Sequence, residues 1–467
     1  MAHDYDLVVV GLGSGGLTAA KFASTLGLRV AGVERDRVGG DCLWTGCVPS
    51  KSLLASAKVA QHMRTADEYG IGSVEPAIDL PAVWRRIRGI QAEIGQGEDS
   101  PAHLESLGVE VVLGQAELRS PHTVQVGERT LDTKFTLICT GSRPAVPPVP
   151  GLAEAGYLTS ENIWELEQVP ASFVVVGGGP IAVELAQALN RLGTSVQVIE
   201  MLPRILAREE QALSRVLTDV LKREGVRIAV GARGESVRRE GSTKVVSGSV
   251  NGEAADWSAE EIIVAAGRTP NADGLGLEEL GIEQTRGGIV TDARGRTAVR
   301  SIYATGDVAG GFQFTHWAGY ESALTVRDMF FPGKAKFTDV VPWCTFTDPE
   351  LARVGLTEAE AIERYGGEQV RVDRAGLDES DRARADGATE GAIITVSAKD
   401  KLVGAHVLAP SAGELIQELS QAVHEGRSLA ELAEFIHVYP TLATSINLLG
   451  AARRYEAAKR WTWLIRR

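Results

Sequence analysis

The sequence predicts an α/β protein in which one strand–turn–helix unit occurs twice, followed by an α+β module. Each copy begins with a short apolar run, at residues 7–10 and 173–176, that leads through a glycine-rich turn into a helix. In both copies the next strand ends in an acid at the same offset from the first glycine of the turn, Glu34 in one and Glu200 in the other. From about residue 337, short β-rich runs and a long helix near residues 412–425 predict the α+β module.

Length and charge limit the possible classes of protein. A chain of 467 residues is too long for one core and suggests about three domains. The net charge of -13 argues against a nucleic-acid partner, which requires a basic face. The apolar run at residues 7–10 is too short for a signal peptide, and no later apolar run reaches the length of a membrane span. We therefore expect a cytoplasmic protein without a transmembrane segment.

The two glycine turns have the spacing of a dinucleotide-binding fingerprint. Glycines at these positions let the backbone approach a pyrophosphate, and the helix that follows presents free N–H groups to it. The acid at the end of the next strand suits ribose hydroxyls. Glycines that serve only strand–helix packing are the alternative, which two complete copies make much weaker. We predict two Rossmann-like dinucleotide-binding units on Gly11, Gly13, Gly16 and Glu34, and on Gly177, Gly179, Ala182 and Glu200.

Further strand ends predict how these units are connected. Thr140 and Gly141 follow a strand before the second unit, and Gly267 follows a similar strand after it. We interpret these two turns as the points where the chain leaves and re-enters the first domain. Another strand then ends at Asp307, and a helix is predicted to begin near Thr315 and His316.

Cys42 and Cys47 follow Glu34 closely and lie at the start of a predicted helix, where a thiolate is stabilised. Residues five apart do not face each other on a regular helix, so bridging these sulfurs requires a distorted first turn, which Gly46 permits. The alternative, a zinc site, needs further ligands. Cys139 and Cys344 are expected in unpaired, strand-like settings, so we predict no metal site.

These motifs together resemble the pyridine nucleotide-disulfide oxidoreductases over essentially the whole chain. Residues 342–350 are similar to the start of that family's dimerisation domain. The resemblance implies two Rossmann-like domains, an FAD-binding domain interrupted by a NAD-binding domain, plus a C-terminal α+β dimerisation domain in a homodimer. The implied boundaries are residues 1–148 and 267–336 for the FAD domain, 149–266 for the nicotinamide domain and 337–467 for the interface domain.

The family also implies roles for individual residues. Cys47 is the sulfur nearer the flavin and Cys42 exchanges with the substrate, while Lys51 and Glu184 match an ion pair beside the flavin. FAD binding is implied for Gly11, Gly13, Gly16, Glu34, Lys51, Thr140, Gly141, Asp307, Thr315 and His316. Nicotinamide binding is implied for Gly177, Gly179, Ala182, Glu200 and Gly267.

The second acid favours NADH over NADPH. Glu200 suits a free 2'-hydroxyl and repels a 2'-phosphate, and Met201 stands where NADPH enzymes of the family usually carry an arginine. Ala182 in place of the third glycine, together with Arg204 and Arg208, keeps NADPH possible.

The chain departs from the disulfide-reducing members of the family near its end. Their histidine and glutamate of a His-Pro-Thr-x-x-Glu motif are replaced here by Tyr439 and Thr444, and His437 matches an earlier, non-catalytic histidine. Mercuric reductases likewise have a tyrosine near this position, but this chain lacks their C-terminal cysteine pair. Trp44, where many relatives have asparagine, is a further departure. We nevertheless include Tyr439 among the candidate catalytic residues.

The electron acceptor stays open at this point. A small disulfide, a persulfide or thiol-bound metal, a quinone-type acceptor or oxygen, and lipoamide are all compatible with the motifs. A different class, a redox-sensing or lipid-surface flavoprotein, is supported only by the basic, tryptophan-bearing residues 453–467. Packing of a terminal helix on the partner subunit is the simpler interpretation of that segment.

Overall fold

The computed structural model describes residues 3–333 and 336–459, which contain three sheets large enough to form cores. The strands are β1 (Tyr5–Val10), β2 (Val30–Glu34), β3 (Val109–Leu113), β4 (Ala116–Ser120), β5 (Thr123–Val126), β6 (Arg129–Ile138), β7 (Ser142–Pro144), β8 (Ser172–Val176), β9 (Ser195–Glu200), β10 (Arg227–Val230), β11 (Ala232–Glu240), β12 (Thr243–Val250), β13 (Glu253–Ala259), β14 (Glu261–Val264), β15 (Arg268–Pro270), β16 (Gln284–Thr285), β17 (Gly288–Ile289), β18 (Ile302–Ala304), β19 (Trp343–Thr345), β20 (Glu350–Gly355), β21 (Val370–Gly376), β22 (Ala392–Ala398) and β23 (Lys401–Ala409).

Helices connect these strands and cover the sheets. They are α1 (Ser14–Thr25), α2 (Gly40–Trp44), α3 (Cys47–Arg64), α4 (Leu80–Gly95), α5 (Pro101–Ser106), α6 (Leu152–Ala155), α7 (Pro180–Arg191), α8 (Gln211–Arg223), α9 (Thr315–Phe330), α10 (Glu358–Tyr365), α11 (Asp381–Ala385), α12 (Ala412–Glu425) and α13 (Thr444–Lys459). Among the helices of the described residues, none combines the length and apolarity needed to cross a bilayer.

The first sheet has the order β3-β2-β1-β6-β5-β4, and β18 adds to β6 on its other side. Its central strand β1 is parallel to both β2 and β6. Leu7, Val8 and Val9 in β1 are completely buried, as expected for a parallel strand covered on both faces. The carboxyl ends of these strands therefore meet at one edge, where the first glycine turn lies.

The second sheet repeats this design. Its strands are parallel in the order β10-β9-β8-β14, and the antiparallel meander β11-β12-β13 forms a separate sheet beside it. The chain leaves the first unit through β7 and returns through β15, which pair antiparallel as a two-stranded connection. After this return, β18 joins the first sheet next to β6, so that sheet is built from two separate stretches of the chain.

The third sheet is antiparallel in the order β19-β20-β23-β22-β21. The helix α12 packs on it through apolar residues such as Ile416 and Leu419, which are 1% and 0% exposed. This arrangement is the α+β module that the sequence predicts, and α12 has the bounds expected from its apolar pattern.

A buried ion cluster joins the second and third sheets. Arg191, at the end of α7 and 5% exposed, donates two hydrogen bonds to the carboxylate of Glu224 and two to Asp348 before β20, one to its carboxylate and one to its carbonyl oxygen. Removing the guanidinium leaves two carboxylates without their partner, so we expect Arg191→Met to lower the free energy of unfolding by about 3–5 kcal/mol. The exposed pair Arg382–Asp386 provides the matched control, since Arg382→Met should cost about 0.5 kcal/mol. Equal denaturation midpoints for both variants would contradict the prediction.

Candidate functional site

The two glycine turns have the same geometry. Gly11 and Gly177 have φ of 95° and 117°. A Cβ on Gly11 would collide with the backbone carbonyl of Cys139, and a Cβ on Gly177 with that of Ala265. The helices α1 and α7 begin directly afterwards without a side-chain cap. The N–H groups of their first turns therefore remain available, except at Pro180, the first residue of α7, which has none. Both turns therefore have the free donors and the close backbone approach that a pyrophosphate requires.

The two acids also occupy equivalent positions. Glu34 accepts hydrogen bonds from the N–H groups of Leu12 and Asp36, at 2.8 and 2.9 Å. Glu200 accepts the corresponding bonds from Gly178 and Leu202, at 2.6 and 2.7 Å. Each carboxylate thus fixes its own glycine turn against the end of the adjacent strand, in the place predicted for a ribose-binding acid.

The connection between the first two units carries a polar cluster. Arg268 in β15 donates hydrogen bonds to the hydroxyl and carbonyl oxygens of Ser142 in β7, at 2.6 and 2.9 Å. The same guanidinium pairs with Asp41 at 3.0 Å and lies 3.6 Å from Asp307, whose pKa is raised by burial. Thr140 closes the cluster by donating to the carbonyl of Asn271. The residues predicted near the two strand ends therefore meet at one place.

The cysteine pair lies on two helices, which corrects the prediction of one distorted helical turn. Cys42 is in α2, a helix of five residues that ends at Trp44, and Cys47 is the first residue of α3. Gly46 is the N-cap of α3. The peptide N–H groups of Thr45 and Gly46 both donate to the carbonyl of Asp41, which closes the link between the helices tightly. The two thiols consequently come within hydrogen-bonding distance.

The two thiols differ in protonation. The hydrogen bond from Cys42 lowers the pKa of Cys47 to about 6, and this effect, together with Thr315 and the Lys51 charge, outweighs the opposing effect of burial. The same hydrogen bond raises the pKa of Cys42, and burial adds to that effect. At neutral pH, Cys47 is therefore the thiolate and Cys42 the protonated thiol that donates to it.

This assignment predicts a pH dependence. In the reduced protein, the Cys47 thiolate should form as the pH rises through about 6 and be lost below it. Cys42→Ala removes the donor and should move the pKa of Cys47 upward towards the reference value of about 8.5. Cys42→Ser keeps a hydroxyl donor and should shift it less. The pH dependence of Cys47 alkylation measures both, and identical profiles for the two variants would contradict the assigned hydrogen bond.

Lys51 lies one helical turn after Cys47 and pairs with Glu184 of α7, with 2.7 Å between Nζ and Oε2. The second oxygen of Glu184 accepts a hydrogen bond from the peptide N–H of Phe346, at 2.8 Å. Burial opposes the charge of Lys51, but Glu184 raises the pKa of the ammonium group. This pair joins the cysteine helix, the second unit and the third sheet at one point.

The start of α9 faces the cysteines. Thr315 is its first residue, and its hydroxyl oxygen lies 3.5 Å from the sulfur of Cys47. His316 donates from Nε2 to the carbonyl of Pro342 at 2.8 Å, which fixes its ring. No side chain caps this helix, so its positive end points towards the space beside Cys47.

These features line one continuous cleft of about 2640 Å³. Both glycine turns, the cysteine pair, the Lys51–Glu184 pair and the start of α9 all contribute to its walls. The uncapped helix ends and the two acids, Glu34 and Glu200, on the walls of this cleft fit two dinucleotides.

Tyr439 is the candidate catalytic residue that this chain's own fold does not bring to the cleft. Its side chain is 68% exposed, and its hydroxyl donates to Asp381 at 3.1 Å, which raises the pKa of the phenol. His437, two residues earlier, is buried and pairs with Glu418 at 3.0 Å. His437 thus has a structural contact within the third-sheet module, as its match to a non-catalytic histidine suggests.

The other two cysteines lie in different surroundings. Burial raises the pKa of Cys139 to about 11, and its sulfur contacts the hydroxyl of Thr305 at 3.3 Å. Burial and the nearby Glu350 raise the pKa of Cys344. Of the basic segment at 453–467, residues 460–467 lie outside the described part of the chain.

Three residues were not assigned a role from the sequence but contact the cysteine link directly. Asp41 pairs with Arg268, while Gln91 and Trp164 donate hydrogen bonds to carbonyl groups between the two cysteines. Only Asp41 had a local signal, because it precedes Cys42. Gln91 and Trp164 are distant in the sequence and reach the link through the fold.

Comparison with known proteins agrees with this geometry. Residues 5–322 match the family model of the pyridine nucleotide-disulphide oxidoreductases, and residues 341–449 match the dimerisation domain of the same family. The chain therefore belongs to the pyridine nucleotide-disulphide oxidoreductase family. Within it, the chain is a flavoprotein disulfide reductase family member with a Cys42/Cys47 pair, and the family uses FAD and NAD(P)H.

Individual relatives cover nearly the whole chain. A mercuric reductase of Staphylococcus aureus is 33% identical over 98% of this chain and 84% of its own length. A dihydrolipoyl dehydrogenase of Chlorobaculum tepidum is 34% identical over 96% of both chains. The Cu(II) complex of the HOCl-induced flavoprotein disulfide reductase RclA from Escherichia coli superimposes with a TM-score of 0.83 at 26% identity, covering 97% of this chain and 100% of that one.

Proposed function

We propose that this protein is an FAD-dependent oxidoreductase that uses NADH to reduce the Cys42–Cys47 disulfide, whose dithiol then reduces a disulfide or a thiol-bound soft metal ion. The observation that carries the proposal is the position of the Cys47 sulfur, 3.5 Å from the hydroxyl oxygen of Thr315, in a cleft that both dinucleotide turns and Lys51 line. The lowered pKa of Cys47 agrees with this position. When bound, FAD would supply the two-electron transfer between nicotinamide and sulfur. The residues proposed to hold FAD and NADH are those predicted from the sequence.

The chain's own groups account for the sulfur chemistry. NADH gives up a hydride, which is two electrons and one proton, and becomes NAD⁺. The Cys42–Cys47 bond breaks, and this one proton is the net proton gained, which leaves Cys42 as the thiol beside the thiolate of Cys47. Cys42 must then lose its proton to attack the acceptor. An acceptor disulfide takes up the electron pair with the proton of Cys42 and one proton from solvent and is released as two thiols. Alternatively, one Hg(II) ion takes up the electron pair, or two Cu(II) ions take up one electron each, and in each case the Cys42–Cys47 bond forms again.

The identity of Tyr439 supports a soft metal ion or an easily reduced disulfide over dihydrolipoamide. A positioned acid–base group contributes typically about 10²- to 10⁴-fold in rate, and a phenol with a raised pKa is poorly matched to that work at neutral pH. Soft metal ions bind thiolates directly and depend less on proton transfer. The mercuric reductase and the Cu(II) complex among the relatives agree with this choice.

The same assay tests two other acceptors, lipoamide and a quinone. Lipoamide represents the second candidate function, dihydrolipoyl dehydrogenase, because a relative with that name is 34% identical. A quinone-type acceptor would take electrons without the cysteines. NADH oxidation should be measured with a small disulfide, with Hg(II) in excess thiol, with Cu(II) without added thiol, with lipoamide and with a quinone. Turnover with the quinone alone, unchanged in Cys42→Ser, would overturn the proposal.

The preference for NADH is supported by the hydrogen bonds of Arg204, an arginine close to Glu200. Arg204 donates its guanidinium hydrogen bonds to the carbonyl groups of Leu206, Ala207 and Glu209, so the group is already occupied within its own loop. Both oxygens of Glu200 accept backbone hydrogen bonds, one from Gly178 in the turn and one from Leu202, which keeps the negative charge in place. A 2'-phosphate would therefore meet a fixed carboxylate.

A single substitution tests this preference. Met201 is 70% exposed directly after Glu200, so Met201→Arg should leave the fold unchanged and provide a phosphate ligand. We expect kcat/KM with NADPH to rise about tenfold in this variant, as one charge-assisted hydrogen bond allows, while the original protein prefers NADH. Val290→Arg, at another exposed apolar position, is the control. An NADPH preference in the original protein would refute the assignment.

We also propose that the protein is a homodimer, which the match to the dimerisation domain supports. The segment before α13 exposes apolar side chains that a second copy would cover, with Ile436 at 98%, Val438 at 75% and Tyr439 at 68% exposure. In such a dimer Tyr439 would approach the partner's cleft. The proposed domain boundaries are those implied by the sequence, with a cytoplasmic location.

A further inference from the structure

The link between the two cysteines depends on side chains from outside the cysteine motif. The helix α2 has only five residues, too few for a helix that is stable alone. Its last carbonyl groups lack helical partners, as at any helix end. These carbonyls, together with that of Thr45, point to donors in other parts of the fold.

Gln91 of α4 supplies the first of these donors. Its side chain is 5% exposed, and Nε2 donates to the carbonyl of Trp44 at 2.6 Å and to that of Leu43 at 3.3 Å. One buried amide thus holds the end of the helix that carries Cys42.

Trp164 supplies the second donor and comes from the other dinucleotide unit. Its indole Nε1 donates to the carbonyl of Thr45 at 2.9 Å and to that of Ser160 at 2.7 Å. Trp164 is 4% exposed, and its segment joins the second sheet through the bridge between Leu158 and Ile263. Trp164 therefore holds Thr45, the residue before the N-cap Gly46 of the Cys47 helix, by a hydrogen bond from the second dinucleotide unit.

We propose that Trp164 and Gln91 are positioning residues that set the redox equilibrium of the Cys42–Cys47 pair by fixing the carbonyl groups of the link between their helices. The inference rests on the proposed function of this pair. Two sulfurs on separate helices form a disulfide readily only when the link holds them close, because fixed geometry raises the effective concentration of one thiol for the other. Loosening the link should therefore favour the dithiol.

The test measures the cysteine equilibrium directly. The purified holoprotein is equilibrated in dithiothreitol redox buffers, and alkylation of Cys42 and Cys47 is quantified by mass spectrometry. Trp164→Phe and Gln91→Leu should each shift the equilibrium about three- to tenfold towards the dithiol, as loss of one hydrogen bond allows. A tenfold shift corresponds to about 30 mV for this two-electron couple.

Trp84→Phe is the matched control. Trp84 is also buried, at 1% exposure, and its indole Nε1 donates at 3.0 Å to the carbonyl of Ile163, the residue before Trp164, and not to a carbonyl between the two cysteines. The Trp84→Phe variant should have a lower free energy of unfolding and an unchanged dithiol–disulfide equilibrium of Cys42 and Cys47. If Trp164→Phe and Gln91→Leu behave like Trp84→Phe, the inference is overturned and the proposed function stands. If the unmodified protein has no two-electron thiol couple, the proposed function itself fails.

Discussion

Cys47→Ser is expected to lower NADH-driven reduction of a small disulfide by at least about 10³-fold, because the Cys42–Cys47 disulfide that passes electrons to the acceptor can no longer form. The hydroxyl of serine fits the site but does not ionise at neutral pH and cannot form a disulfide. FAD binding should be unaffected, since the glycine turns and Glu34 do not depend on the sulfur. The measurement is kcat for disulfide reduction at saturating NADH, together with the flavin content of the purified variant.

Cys344→Ser is the control for this substitution. Cys344 lines the same cleft, but its pKa is raised and its sulfur contacts Glu350 and the carbonyl of Thr345. It should retain nearly full activity. Equal losses in Cys344→Ser and Cys47→Ser would show that any cysteine change in the cleft disturbs the fold, and full activity in Cys47→Ser would remove the basis of the proposed relay.

Glu184→Gln is expected to slow reduction of the bound flavin by NADH about ten- to a hundredfold. The substitution keeps the shape of the side chain but leaves the Lys51 ammonium without its charge partner and weakens the fixed position of that ammonium in the cleft. Breaking a buried ion pair typically costs about 3–5 kcal/mol. Because Lys51 is 36% exposed and partly screened by solvent, we expect the activation free energy of flavin reduction to rise by only about 1–3 kcal/mol.

Stopped-flow absorbance during mixing with NADH measures this step separately from the acceptor reaction. Glu414→Gln changes an exposed carboxylate that also lines the cleft, and it should leave the rate unchanged. The peptide N–H of Phe346 donates to Glu184 and should still find an amide oxygen in the variant, so the fold is expected to persist. An unaltered rate in Glu184→Gln would mean that the ion pair has no part in the nicotinamide reaction.

The parts of the site that the sequence predicts are those encoded locally. The spacing of Gly11 and Gly177 from their acids is set by one strand–turn–helix–strand unit, and the structure has that unit in both places. The start of α9 at Thr315 also follows from a local pattern. Short-range constraints of this kind are readable without knowledge of the tertiary fold.

The cysteine link was misjudged because its conformation depends on distant residues. The helix of Cys42 ends at Trp44, and the carbonyls at that end bond to Gln91 and Trp164. The residues around the cysteines in the sequence give no indication of either hydrogen bond. The same limit applies to Tyr439. Within one subunit this residue does not line the cleft, and its proposed approach to a cysteine pair requires a second subunit.

Anaerobic titration of the purified protein with NADH tests the central claim most directly. If the Cys47 thiolate lies against the flavin, adding NADH should produce a long-wavelength absorbance band that disappears below a pH of about 6 and is absent in Cys47→Ser. A flavin that bleaches in one step without that band, at a pH where Cys47 is ionised, would contradict the account.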